Sequence, residues 1–156
     1  DCYDGGIILE YPIDKKIANE FKKYEKTFTE KSKPVYWNEY AQKITLKEIH
    51  DNADIGDKSI VLIAVTRQQY NLENFPNYRK YLKDIVNTNT IYYGLWPDTK
   101  NEKVEYDILY TIDSTDRDEI QKHLNLHNQI NNGVAQKMAL IIDKDGKWEI
   151  QNNEKQ

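Results

Sequence analysis

The chain has few of the residues on which many catalytic and cofactor-binding sites depend. Of its 156 residues, Cys2 is the only cysteine. An internal disulfide, a cysteine-pair redox centre and a cysteine-rich zinc site are therefore excluded. The sequence also has neither a Gly-x-Gly-x-x-Gly segment nor a Walker-type loop, which are the common glycine-rich sites for nucleotide phosphates. We therefore expect no bound cofactor.

Long apolar runs and arginines are also scarce. The longest apolar run, Ile60–Val65, has six residues, whereas about 20 are needed to span a bilayer, so we expect no transmembrane segment. The formal net charge is −4, and the only arginines are Arg67, Arg79 and Arg117. This composition argues against a nucleic-acid partner, which would require a basic face. The oligomeric state is not indicated.

The chain starts at Asp1 rather than at a methionine. We interpret it as trimmed, and a cleaved secretory signal is compatible with this start. Removal of such an N-terminal segment would place the protein outside the cytoplasm. The sequence does not otherwise specify the compartment.

The apolar run Ile60–Val65 is the most informative stretch of the sequence. Its residues are mostly β-branched, and Gly56 and Asp57 precede it. A short run without polar alternation is typical of a strand that is buried on both faces. The sequence therefore predicts a central strand here, with other elements covering each side of the sheet.

From this strand onward, periodicity predicts the order strand, helix, strand, strand, helix, strand. This is the order of a ferredoxin-like split βαβ core, and it predicts an α+β fold. The last strand continues through an Asp145-Gly146 turn into an edge strand at Lys147–Gln151, forming a C-terminal hairpin. Ser114 or Thr115 is expected to cap the second core helix.

The N-terminal region is predicted to be a helical cover for the sheet. An apolar stripe with helical spacing follows Asp14 and consists of Ile17, Phe21, Tyr24 and Phe28. Val35–Ile44 is predicted to be an irregular strand or a short helix. Thr45 with Glu48 is predicted to form a capping box for the next helix. We expect one domain over residues 1–156, with the cover at 1–57, the α/β core at 58–151 and a frayed tail at 152–156.

Two segments suggest an alternative α/β fold. Leu46-Lys47-Glu48-Ile49 precedes the central strand, and Leu140-Ile141-Ile142-Asp143-Lys144-Asp145-Gly146-Lys147 comes late in the chain. This arrangement resembles secreted thioredoxin-like proteins, which carry a Cys-x-x-Cys motif directly after the central strand. That place holds Arg67-Gln68-Gln69-Tyr70 here, so the resemblance implies a thioredoxin-like domain without the redox cysteines.

Aromatic residues supply the leading candidate for a functional surface. The chain has 12 tyrosines and 3 tryptophans, and the candidate patch consists of Tyr36, Trp37, Tyr40, Tyr92 and Trp96. Exposed Tyr and Trp side chains are effective anchors in protein interfaces. The alternative interpretation is that these rings pack beneath the N-terminal segment as core. Stacking on nucleic-acid bases is the third interpretation, and the acidic charge argues against it.

A second candidate site lies on the predicted helix after Ser114. Glu119, His123 and His127 are spaced four residues apart, which places them along one side of a helix, where they could ligate a metal. The simpler interpretation is a solvated helix face.

The leading functional hypothesis is a small non-catalytic module that binds a protein partner through the Tyr/Trp-rich surface. A metal-dependent hydrolase with the Glu119, His123 and His127 site is the alternative, and the thioredoxin-like domain is a second alternative.

Overall fold

The computed structural model of the chain describes residues 12–28, 32–65, 75–86, 90–98, 103–128 and 136–154. These residues contain four helices: α1 Pro12–Glu25, α2 Leu46–Asn52, α3 Phe75–Ile85 and α4 Arg117–Leu126. They also contain seven strands: β1 Val35–Trp37, β2 Lys43–Ile44, β3 Ile60–Ala64, β4 Tyr92–Asp98, β5 Lys103–Ile112, β6 Met138–Ile142 and β7 Trp148–Asn152. None of these helices has the length and hydropathy needed to cross a membrane.

The strands are hydrogen-bonded in the order β2-β1-β4-β5-β3-β6-β7. The pairs β1 with β4, β3 with β5, β3 with β6, and β6 with β7 are antiparallel. The fold is therefore mixed α and β with a seven-stranded antiparallel sheet, larger than the four-stranded sheet of a ferredoxin-like core. The α/β alternative does not hold, because α/β folds are built on mostly parallel sheets and both neighbours of β3 run antiparallel to it. The thioredoxin-motif position, Arg67–Tyr70, lies outside the described residues.

The chain divides into two compact units. The first unit comprises Asp1–Lys43 and Gln69–Ile108, and the second comprises Ile44–Gln68 and Leu109–Gln156. Strand β5 runs from the first unit into the second. The expectation of one domain over residues 1–156 stays a prediction.

In the second unit, β3 is the buried central strand that the sequence predicts. Ile60, Val61, Leu62 and Ile63 are at most 3% exposed, so both faces of the strand are covered. Val61 lies opposite Ile112 of β5 on one side and Ile141 of β6 on the other. Cross-strand pairs of β-branched side chains stabilise such a sheet.

Local sequence signals begin the two helices of this unit. The predicted capping box at α2 is present: Thr45 Oγ1 accepts from the Glu48 N–H, and the Glu48 carboxylate accepts from the Thr45 N–H. For α4, the prediction of Ser114 or Thr115 as N-cap is wrong. Asp116 caps this helix, because its carboxylate accepts from the N–H groups of both Asp118 and Glu119. Ser114 instead accepts from the Asp116 N–H.

In the first unit, the apolar stripe of α1 is buried at Ile17 and Phe21, as predicted. The helix begins at Pro12, before Asp14, and ends at Glu25, so Phe28 of the predicted stripe lies beyond it. The segment Val35–Ile44, which the sequence left open between strand and helix, is β1 and β2 joined by a five-residue loop. Residues 38–42 form this loop, and we call it the β1–β2 loop.

The β6–β7 hairpin generates a stability prediction, because its turn requires Gly146. Gly146 has φ +81°, and a Cβ there would lie 2.9 Å from the Lys47 Cβ and 3.2 Å from the Lys47 Cα. Gly56 also has positive φ, +68°, but a Cβ there meets nothing within 4 Å.

We expect Gly56→Ala to lower the free energy of unfolding by about 1 to 2 kcal/mol, which is the cost of a left-handed backbone. Gly146→Ala should lower the free energy of unfolding by the same amount and by about 1 to 3 kcal/mol more, because the added methyl overlaps Lys47 of α2. Urea denaturation of both variants measures the difference. Equal losses would contradict the close approach of the turn to Lys47.

Candidate functional site

Trp37 lies in the interior of the first unit. It is 0% exposed, and its ring meets those of Phe21 and Tyr24 edge-on, at centroid distances of 5.2 and 5.6 Å. Its indole Nε1 donates to the Glu20 Oε1 at 3.1 Å. Edge-to-face aromatic pairs add to the stabilisation from burial. Trp37 therefore joins α1 to β1 and is not available to a partner.

Tyr36 and Tyr92 are also core residues, with 5% and 2% of their surface exposed. Burial, together with the negative charge of Asp107, raises the pKa of Tyr36 far above its ordinary value. The Tyr36 ring packs edge-on against Trp96, with centroids 6.1 Å apart. Trp96 is half-buried, and its Nε1 has no hydrogen-bond partner among the described residues.

The five predicted aromatics therefore do not form one exposed surface. Trp37 is buried because Phe21 and Tyr24 of α1 pack around its ring. Tyr36 and Tyr92 are buried in the same unit. For Trp37, this burial beneath α1 agrees with the alternative interpretation that the rings pack beneath the N-terminal segment. Tyr40 differs from the others, since 67% of its surface is exposed.

Tyr40 lies at the tip of the β1–β2 loop, which Asn38 organises. The Asn38 carboxamide oxygen accepts from the backbone N–H of Tyr40 at 2.9 Å and of Gln42 at 3.0 Å. The Asn38 N–H donates to the Gln42 carbonyl, and the Ala41 N–H donates to the Asn38 carbonyl. An Asn side chain that bonds its own backbone two residues onward fixes a turn.

Ala41, next to Tyr40, has φ +61°. This left-handed conformation is costly for a residue with a Cβ, and it persists only where the surrounding hydrogen bonds enforce it. The loop therefore holds Tyr40 in a defined position, exposed and anchored through β1 to the buried Trp37. The sequence signal for this turn is Asn38, whose side chain can bond the backbone two residues onward, at Tyr40.

The predicted metal set is not assembled on α4. The His123 Nδ1 and the His127 Nε2 both hydrogen-bond the Tyr110 hydroxyl, at 2.7 and 2.8 Å, whereas Glu119 is exposed and paired with Lys122. The described residues contain no group of three His, Cys, Asp or Glu side chains that could hold a metal ion. The third histidine, His50, donates its Nε2–H to the Lys58 carbonyl.

The His123–Tyr110–His127 cluster is a buried polar network in the second unit. A phenol carries one proton, so Tyr110 donates to one imidazole and accepts from the other, which couples the two tautomers. Burial, together with the smaller effect of the neighbouring His123, lowers the pKa of His127 to about 4. Burial also lowers the pKa of His123, although the Glu119 carboxylate partly opposes this. Both imidazoles are therefore neutral at pH 7.

Known proteins give no further guide to these sites. Comparison with protein-family models, with curated proteins and with solved structures finds no match to this chain. The function has to be argued from the described residues alone.

Burial of Tyr92 leads to a testable contrast with Tyr40. We expect Tyr92→Ala to lower the free energy of unfolding by about 3 to 5 kcal/mol, as is typical when a large aromatic is removed from a core. Tyr40→Ala should change it by no more than about 0.5 kcal/mol, because the side chain is exposed. Urea denaturation of both variants provides the measurement. A tolerated Tyr92→Ala substitution would show that Tyr92 lies on the surface.

The buried histidines predict acid sensitivity. Between pH 6.5, the ordinary pKa of histidine, and pH 4, the unfolded chain binds a proton at His127 that the folded chain excludes. The stabilisation is therefore complete above pH 6.5 and is lost as the pH falls towards 4, by an amount on the order of 3 kcal/mol.

His127→Gln retains a hydrogen-bonding group at position 127 and removes this titration. The free energy of unfolding of this variant, measured from pH 7 to 4.5, should fall less steeply than that of the unchanged chain. Identical slopes would show that His127 does not titrate differently in the two states.

Proposed function

We propose that the protein is a small non-catalytic module that binds a protein partner through Tyr40 of the β1–β2 loop. The observation that carries this proposal is the 67% exposure of Tyr40 on a loop fixed by the hydrogen bonds of Asn38. The proposal retains one residue of the predicted aromatic patch and assigns its buried members a supporting role.

Preorganisation of the β1–β2 loop supports binding through Tyr40. A Tyr side chain has two rotatable bonds, so it offers a large contact area at a low cost in conformational entropy. Asn38 orders the backbone around Tyr40 before any partner arrives, so little loop entropy is lost on binding. A strained residue such as Ala41 beside an exposed aromatic is the kind of outlier that is enriched in binding loops.

The expected partner surface is an apolar pocket that accepts the phenol ring. Aromatic anchors of this kind act as interface hot spots when they enter a well-packed, desolvated pocket. A hydrogen-bond acceptor at the base of the pocket would satisfy the Tyr40 hydroxyl, which is otherwise solvated.

We also propose that β3, α3, β4, β5, α4 and β6 form a split βαβ core to which β1, β2 and β7 are added. The strand order β4-β5-β3-β6 supports this proposal, since β5 lies between β3 and β4 as a split βαβ unit requires. In this arrangement the β1–β2 loop belongs to an addition to the core rather than to the core itself.

Affinity capture tests the functional proposal. The purified chain is immobilised, bound proteins from a lysate of the source organism are quantified by mass spectrometry, and the affinity of the most enriched one is measured. We expect Tyr40→Ala to weaken that affinity about 30-fold, the effect of losing an interface hot spot. Tyr40→Phe should retain most of the binding, because the ring remains.

Ile85→Ala is the matched control, since Ile85 is a large apolar residue of the same unit, on α3, with 52% of its surface exposed. This variant should bind like the unchanged chain. A partner whose affinity is equal for Tyr40→Ala and for the unchanged chain would overturn the proposal.

A further inference from the structure

Strand β7 forms one end of the strand order, so one of its sides has no neighbouring strand among the described residues. The Asp143 N–H donates to the Lys147 carbonyl, and the Asn153 N–H donates to the Lys137 carbonyl. Because hydrogen-bonded pairs alternate along an antiparallel ladder, Glu149 and Gln151 direct their backbone groups towards β6. Trp148, Ile150 and Asn152 therefore direct theirs outward.

The outward edge also carries exposed apolar side chains. Trp148 is 53% exposed and Ile150 is 43% exposed. They lie opposite Ile142 and Leu140 of β6, and directly opposed residues point to the same face of a sheet. An exposed apolar edge strand is a template for pairing with another strand.

We propose that β7 pairs antiparallel with β7 of a second copy of the chain, in the register that sets Ile150 opposite the partner's Ile150. Each outward backbone group then finds a partner: Ile150 pairs across the two-fold axis, and Trp148 pairs with the partner's Asn152. Such an interface is isologous, so the same strand is used on both sides. The proposal does not depend on Tyr40.

Side-chain charges favour this register over its neighbour. The neighbouring register, centred on Glu149, would set this residue opposite the partner's Glu149. Like charges directly opposite each other are destabilising. Centring on Ile150 sets Glu149 opposite the partner's Gln151 instead. The two apolar residues at the centre, Trp148 and Ile150, lie within diagonal reach of each other across the axis.

The same register produces charge complementarity on the other face of the sheet. Gln151 lies on the face that α4 covers, where its Nε2 donates to the Arg117 carbonyl at 3.2 Å. In the proposed dimer Glu149 would therefore lie on the same face of the sheet as the partner's Arg117, whose exposed guanidinium bonds Glu154 at 2.7 Å and would be shared between the two carboxylates. This contact would be made twice, once on each side of the two-fold axis, and it favours another copy of the chain as the occupant of the edge.

Pairing through β7 uses one edge strand of each copy, so the assembly closes at two copies. Sedimentation velocity of the purified chain over a range of concentrations should therefore show a reversible monomer–dimer equilibrium. A monomer throughout, or an assembly larger than a dimer, would overturn the proposal. The proposal would also be overturned if the chain does not self-associate but binds a strand of another protein at β7.

Charge substitutions at residue 150 test the register. Ile150→Lys and Ile150→Glu each set like charges against one another at the axis, so each should weaken dimerisation about 30-fold or more. Mixing the two variants should restore a heterodimer, because Lys then lies opposite Glu. Circular dichroism checks that both variants fold, as exposure of residue 150 leads us to expect.

Four further variants complete the test. Ile85→Lys changes an exposed apolar residue elsewhere and should leave dimerisation unchanged. Arg117→Glu and Glu149→Arg should each weaken the dimer, and the double variant should recover it. A dimer that Ile150→Lys does not weaken would overturn β7 pairing. A mixture of the Lys and Glu variants that stays monomeric would overturn the register.

Discussion

Burial of β3 on both faces is the constraint on which the second unit depends. A strand without polar side chains cannot border solvent on either face, so it requires a hydrogen-bonded neighbour on each edge and a packed layer on each side. Strands β5 and β6 provide the neighbours, and α4 packs against β3 and β6. The edge position of β7 follows, because β6 lies between it and β3.

Packing of α4 on this sheet brings polar groups into the interior as well. His127 is 1% exposed and Tyr110 is 0% exposed, and each would lose hydration without a hydrogen-bonding partner. The Tyr110 hydroxyl hydrogen-bonds one nitrogen of each imidazole, and these two bonds join β5 to α4 and to the residue that follows it.

The first unit uses its aromatic residues in two ways. Trp37 packs with Phe21 and Tyr24 between β1 and α1, where the three rings meet edge-on. Tyr40, three residues later, is displayed on a loop that the same strand supports. A buried and an exposed aromatic residue therefore lie three positions apart in one short segment.

The sequence alone determined the elements whose signals are local. The apolar run of β3, the Thr45 capping box and the Asp145-Gly146 turn each depend on neighbours within a few residues, so the pattern was sufficient. Only tertiary structure decided which aromatics are buried, since Trp37 is covered by Phe21 and Tyr24 of α1, which lie 16 and 13 residues earlier in the chain. It also decided that His123 and His127 meet Tyr110 rather than Glu119, because helical spacing aligns side chains on α4 but cannot indicate which strand lies opposite them.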